Sequence, residues 1–152
     1  MSSLIADPSG LLSAATTFLS RLSAGAQQAS REQAEASRQY IAGGAYWTPR
    51  TGKTGQSFRV EQDPERLSAV LRSGRAVARF LDTGTRPHVI APKRRDALRF
   101  IPAGGGVVFT RRVNHPGTKP LRYLDAEAAR AEPALLAAVE RSTQAAADSS
   151  GF

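Results

Sequence analysis

The stretch "ALRFIPAGGGVVFTRRV", residues 97–113, decides the reading of the fold. In its two arms apolar and aromatic residues mix with arginine, as they do in half-buried strands. The "PAGGG" between them, residues 102–106, has the composition of a hairpin connection. Working outward, "HVIA" (88–91), "AVARFL" (76–81) and "SFRV" (57–60) have the same short texture, rich in Val, Ile and Phe. "LSAVL" (67–71) reads as one more strand, closed by a turn at Ser73-Gly74. The expectation is an antiparallel sheet of about four to six strands within a β-rich, basic core spanning residues 47–122, with Phe58, Phe80, Phe100 and Phe109 at internal positions.

Both flanks change texture. Residues 8–42 are rich in Ala, Ser, Gln, Leu and Glu. Leu12, Ala15, Leu19, Leu22, Ala26, Ala29, Ala36 and Tyr40 recur there in steps of three, four or seven. That predicts one long helix with a narrow apolar stripe, stopped by Gly43-Gly44. A thin stripe on a long helix calls for a partner within the domain or from another chain. Residues 123–147 return to alanine, leucine and glutamate, with Leu124, Ala128, Ala131, Leu135 and Val139 on one helical face. Pro133 predicts a kink or a second helix starting there, and residues 148–152 a frayed tail. Helix, antiparallel strands, then helix make a single α+β domain over residues 1–152, with helices on one face of the sheet.

Charge is unevenly spread. The chain of 152 residues carries net +8, but residues 50–122 hold sixteen basic and five acidic side chains, whereas residues 123–152 hold two and five. A field of that sign attracts polyanions and is screened by salt. Cysteine is absent, which removes disulfides and thiolate metal sites. No apolar run reaches the roughly 20 residues that span a bilayer, and "MSSLIADPSG" lacks the features of a signal peptide. A soluble protein made in a cytoplasm is expected, with no membrane partner.

Several motifs invite chemistry. Asp82-Thr83-Gly84 after Phe80-Leu81 is how an aspartic protease presents its catalytic aspartate, and a dimer supplies the second carboxylate. The downstream Gly-Arg-Asp or Gly-Arg-Asn of such enzymes is missing; Asp82 and Gly84 have an ordinary explanation as a strand-ending turn. "TGKTGQS" (51–57) lacks the first glycine of a phosphate loop, since position 47 is Trp. His88 and His115 have no metal-binding spacing and read as local hydrogen-bonding residues, with Pro116-Gly117 at the centre of a type II turn. No catalytic residue, cofactor or metal site is expected. What remains are the basic clusters Lys93, Arg94, Arg95 and Arg111, Arg112, suited to phosphate backbone without base readout. Aromatic platforms for single strands are not expected, because the phenylalanines look internal.

The order of motifs resembles a family of small tail-component proteins of long-tailed bacteriophages. The matching positions are Thr51-Gly52, Ser57, Phe80, Leu81, Asp82, Gly84-Thr85, Pro92-Lys93, Ala97-Leu98, Phe100, Val113, His115-Pro116-Gly117, Tyr123 and Ala126, within residues 48–129. Asp82 stands where the family usually has glutamate. The resemblance implies a non-enzymatic virion protein of the neck or tail, made in the bacterial host cytoplasm. It implies a homo-oligomeric ring around the DNA path that joins head-closure or connector proteins to tail-tube or tail-terminator proteins. Lys93, Arg94, Arg95, Arg111 and Arg112 are then candidates for contact with double-stranded DNA or a neighbouring ring. A sequence-independent DNA-binding protein is the alternative, and a retroviral-type protease through Asp82 a remoter one.

Overall fold

The computed structural model describes residues 8–49, 51–102 and 104–150. Its class is α+β. Helix α1 (Pro8–Ala42) is followed by a 3-10 turn (Gly55–Ser57) and strands β1 (Phe58–Asp63) and β2 (Ser68–Ser73). Then come α2 (Ala76–Thr83), β3 (His88–Ile90), β4 (Leu98–Phe100), β5 (Val108–Thr110), β6 (Val113–His115) and α3 (Tyr123–Ser150). The six strands form three antiparallel two-stranded ladders, β1–β2, β3–β6 and β4–β5. The chain divides into two compact units, one of residues 1–75 with 124–152, the other Ala76–Tyr123.

In the first unit α1 begins and ends where the composition placed it. Gly43 N–H donates to Gln39 O at 2.9 Å and Gly44 N–H to Ile41 O at 3.1 Å. Gly44 takes a φ of +89°, a left-handed stop that glycine adopts without strain. The inward face differs from the expected stripe. Ala29, Ser37 and Ile41 are buried, whereas Leu12, Leu19, Ala36 and Tyr40 are exposed. The seam passes through polar Ser37 because its hydroxyl has a partner inside, Glu127.

Helix α3 runs antiparallel to α1. Arg21 Nη1 donates to Ser149 O (2.7 Å) at one end, and Ser37 reaches Glu127 towards the other. Between them the backbones come close: a Cβ on Gly25 would lie 2.7 Å from Ser142 Cβ, so only glycine fits. Ala146, buried on the same helix, is another small residue that lets the helices approach. Pro133 sits inside α3 without starting a second helix. The frayed tail expected at 148–152 is helical to Ser150; residues 151 and 152 lie outside the described residues.

β1 and β2 pair from Phe58↔Ser73 to Asp63↔Ser68. Phe58 is buried, with its ring 6.4 Å from that of Trp47. The Ser57 and Ser73 hydroxyls meet at 2.7 Å and close the ladder where Ser73-Gly74 was expected to end the strand. The opposite end turns through Leu67, whose φ of 51° is strained for a leucine.

In the second unit "AVARFL" is helical, a correction to the expected strand. A short apolar run does not reveal its period, and two alanines, an arginine and a leucine favour helix. Ala78 is the buried position. Gly84 ends the helix with φ +74° and donates its N–H to Phe80 O (3.0 Å). The Asp82-Thr83-Gly84 turn therefore ends a helix, not a strand. The carbonyls of Leu81 and Asp82, left open at that end, accept the N–H groups of Leu121 (2.9 Å) and Arg122 (3.1 Å). Buried Tyr123 donates its hydroxyl to Ala78 O at 3.1 Å. Burial, with the Asp82 charge second, pushes its pKa up to about 12.

Candidate nucleic-acid interface

The second unit is where the charge is. Between Ala76 and Tyr123 stand ten basic and two acidic side chains, net +8, so the remainder of the chain is neutral. The unit is built around an interrupted antiparallel ribbon. Thr85 and Thr118 exchange backbone hydrogen bonds at 3.0 and 3.1 Å. The same register continues through His88↔His115 and Ile90↔Val113. Beyond it Leu98 pairs with Thr110 and Phe100 with Val108.

That register brings the two basic clusters together. Residues 91–97 leave the ribbon between Ile90 and Leu98, opposite the two-residue link Arg111-Arg112 between Thr110 and Val113. Lys93, Arg94, Arg95, Arg111 and Arg112 are exposed, as is Arg99 one step into β4. The link is held by Thr110, whose hydroxyl donates to Arg112 O (3.0 Å) and accepts Arg112 N–H (3.3 Å). Among the described residues none of these six cations is in an ion pair; the pairs Arg38–Glu35, Arg66–Asp63, Arg72–Glu61 and Arg130–Glu127 all belong to the first unit. Unneutralised cations on both strands of a ribbon can each take a phosphate oxygen.

Three of the four phenylalanines expected inside are exposed. Only Phe58 is buried; Phe80, Phe100 and Phe109 reach solvent, Phe109 with 66% of its surface. For Phe100 and Phe109 the reason is the pairing: β4 and β5 make a ladder of two strands, with no third strand paired to it among the described residues. The absence of stacking platforms no longer follows.

Pro116-Gly117 does not reverse the chain. Thr118 N–H goes across to Thr85 O, so the dipeptide lies within the ribbon as an extended interruption. Gly117 has φ +92°, and a Cβ there would stand 2.3 Å from Thr85 O, a second close approach of backbones. The His88 and His115 rings are cross-strand neighbours, centroids 5.0 Å apart. His88 Nδ1–H donates to Arg86 O (2.8 Å), and His115 Nδ1 accepts Gly117 N–H (3.1 Å). Both imidazoles are thus engaged in local bonds. Among the described residues no group of three metal-ligating side chains forms.

One constellation escaped the sequence. Glu127, 4% exposed, accepts from Tyr46 Oη (2.9 Å), from Arg130 Nε (2.9 Å) and from Ser37. Burial alone raises its pKa, but those hydrogen bonds outweigh burial and hold the carboxyl below its usual range. Burial, then the bond to Glu127, pushes Tyr46 up to about 12. Arg130 in turn lies 4.2 Å from the centroid of the Tyr40 ring. Every polar group is partnered, which marks a structural clasp between α1, the segment after it and α3 rather than a reactive carboxylate. In the sequence, Glu127 and Arg130 are an ordinary helical surface pair. Nothing local says they are covered.

Comparison with protein-family models, curated proteins and solved structures found no match.

Proposed function

We propose that this chain is a structural protein of a tailed-bacteriophage virion: a neck or tail-completion component that joins head connector to tail as a homo-oligomeric ring around the DNA path. One observation carries the reading. The whole net charge of +8 resides in one unit, and the antiparallel register sets Lys93–Arg95 opposite Arg111-Arg112 with no acidic partner among the described residues. Such a surface accommodates a passing polyanion through its phosphates and reads no bases. The motif order over residues 48–129 supports the virion assignment, and the exposed apolar residues of α1 and β4–β5 support assembly.

The test is charge reversal at two positions. Arg94→Glu with Arg95→Glu leaves the purified chain folded, since both side chains are exposed, but impairs head–tail joining or DNA retention in particles. Normal yields of infectious particles from that variant would refute the role given to the loop.

Exposed Phe100 and Phe109 favour a second reading, a free sequence-independent DNA-binding protein. It requires the isolated chain to bind DNA tightly, with log affinity falling by about 0.9 per phosphate neutralised for each tenfold rise in salt. The virion reading requires weak binding by the isolated chain and incorporation into particles.

A further inference from the structure

The two histidines of the chain are partners across β3–β6, and the backbone fixes their rings in different states. His88 Nδ1 lies 2.8 Å from Arg86 O. A carbonyl only accepts, so that nitrogen carries the hydrogen and Nε2 of the neutral ring keeps a lone pair. His115 Nδ1 receives Gly117 N–H at 3.1 Å, so its hydrogen sits on Nε2. A proton added to His88 goes to Nε2 and costs no existing bond. One added to His115 goes to Nδ1 and breaks the bond from Gly117. With the ring centroids 5.0 Å apart, a charge on the first ring also opposes a charge on the second. The pair therefore takes one proton, on His88.

Both histidines line an open hollow of about 460 Å³, together with Phe80, Thr85, Arg86 and Thr118. From α2 only the uncharged Phe80 reaches it; Arg86 and His88 come from β3 and the residues before it, His115 from β6. No acidic residue lines the hollow or adjoins a lining residue in sequence, whereas Arg79 and Lys119 each adjoin one. Arg86 is exposed and in no ion pair among the described residues. The Thr85 hydroxyl accepts Thr118 N–H at 3.0 Å and so has its own hydrogen to give. Arg86, Thr85 and His115 Nε2–H are donors. The one acceptor among the rings, His88 Nε2, becomes a fourth donor when it is protonated.

We propose that this hollow binds a phosphate group, and that the anion enters together with a proton at His88. A nucleic-acid backbone and a free phosphate share that chemistry; the first source rests on the polyanion reading above, the second does not. Proton and anion favour each other by linkage, so affinity rises as pH falls.

Arginine and lysine keep their charge between about pH 5 and pH 8, so proton uptake there reports on the histidines. Sulfate, whose charge is constant over that range, and a short DNA duplex are each titrated into the purified chain at about pH 5.5 and pH 8. Each is expected to bind about tenfold more tightly at the lower pH. His88→Asn keeps a hydrogen for Arg86 O but has no nitrogen to protonate. Its affinity should match wild type at the higher pH and fail to rise at the lower, while Arg86→Gln weakens binding at both. In the wild-type NMR spectrum, sulfate should draw protonation of the His88 ring to higher pH and leave His115 unmoved. Equal pH dependence in wild type and His88→Asn overturns the proposal, as does protonation of His115 first. Sulfate binding that follows pH beside duplex binding that ignores it keeps the site and assigns it to a free phosphate. Duplex binding that ignores pH, with no sulfate bound, overturns the site and leaves the reading of Lys93–Arg95 standing.

Discussion

Removing the carboxylate of Glu127 tests the clasp of the first unit quantitatively. Glu127→Ala leaves Ser37, which is buried, and Tyr46, which is half-buried, without their acceptor. An unsatisfied buried hydroxyl costs about 1–3 kcal/mol. The Arg130 side chain is 41% exposed and regains water, so its pairing adds no more than about 1 kcal/mol. The expected loss is about 3–4 kcal/mol at pH 7, measured by urea unfolding. Glu127→Gln keeps one acceptor and loses the charge, and should cost about 1–2 kcal/mol. The pH dependence has a definite sign. Because the folded carboxyl titrates below its unfolded value of 4.5, its contribution is complete above that pH and disappears as pH falls through the folded value. Wild type and Glu127→Gln should therefore differ at neutral pH and converge in acid. Equal stabilities at pH 7, or a gap that persists at low pH, would refute the ionic part of the reasoning.

Three further outcomes follow from local geometry. Gly117→Ala forces a Cβ against Thr85 O and breaks into the Thr85–Thr118 hydrogen bonds; about 3 kcal/mol should be lost from the second unit. Gly74→Ala, with nothing within 4 Å, should be neutral or slightly stabilising in the same melts. Leu67→Gly relieves a left-handed leucine and should raise the urea midpoint, the gain being on the order of 1 kcal/mol. The tyrosines Tyr46 and Tyr123, raised to about 12, contribute stability that is full below pH 10 and lost as pH climbs towards 12. Tyr123→Phe should flatten that alkaline decline in circular-dichroism titrations, and an unchanged slope would contradict it.

The parts of the fold legible in the sequence are those set by composition over many residues. Helix α1 ran from Pro8 to Ala42 as read, because an alanine-rich run bounded by two glycines leaves little choice. Antiparallel strands and a C-terminal helix were likewise expected, but "AVARFL" is α2, whose eight residues are too few for a period to speak, and the run 106–113 divides into β5 and the start of β6. Burial was harder. Strand texture says that a side chain alternates, not that a second layer covers it, and so Phe100 and Phe109 were misplaced. The stripe on α1 drifted past Gln33 because a serine satisfied by a distant glutamate looks polar in sequence. At the candidate site the basic residues were visible one by one. Their meeting across the ribbon depended on the pairing of Ile90 with Val113 and Leu98 with Thr110, which no local pattern encodes.

The central proposal is that this chain, with one neutral unit and one strongly basic one, joins copies of itself. Sedimentation of the purified protein over a wide concentration range, at moderate salt, examines it most directly. A single discrete multimer that dissociates on dilution is the predicted result. A species of monomer mass at every concentration would contradict it.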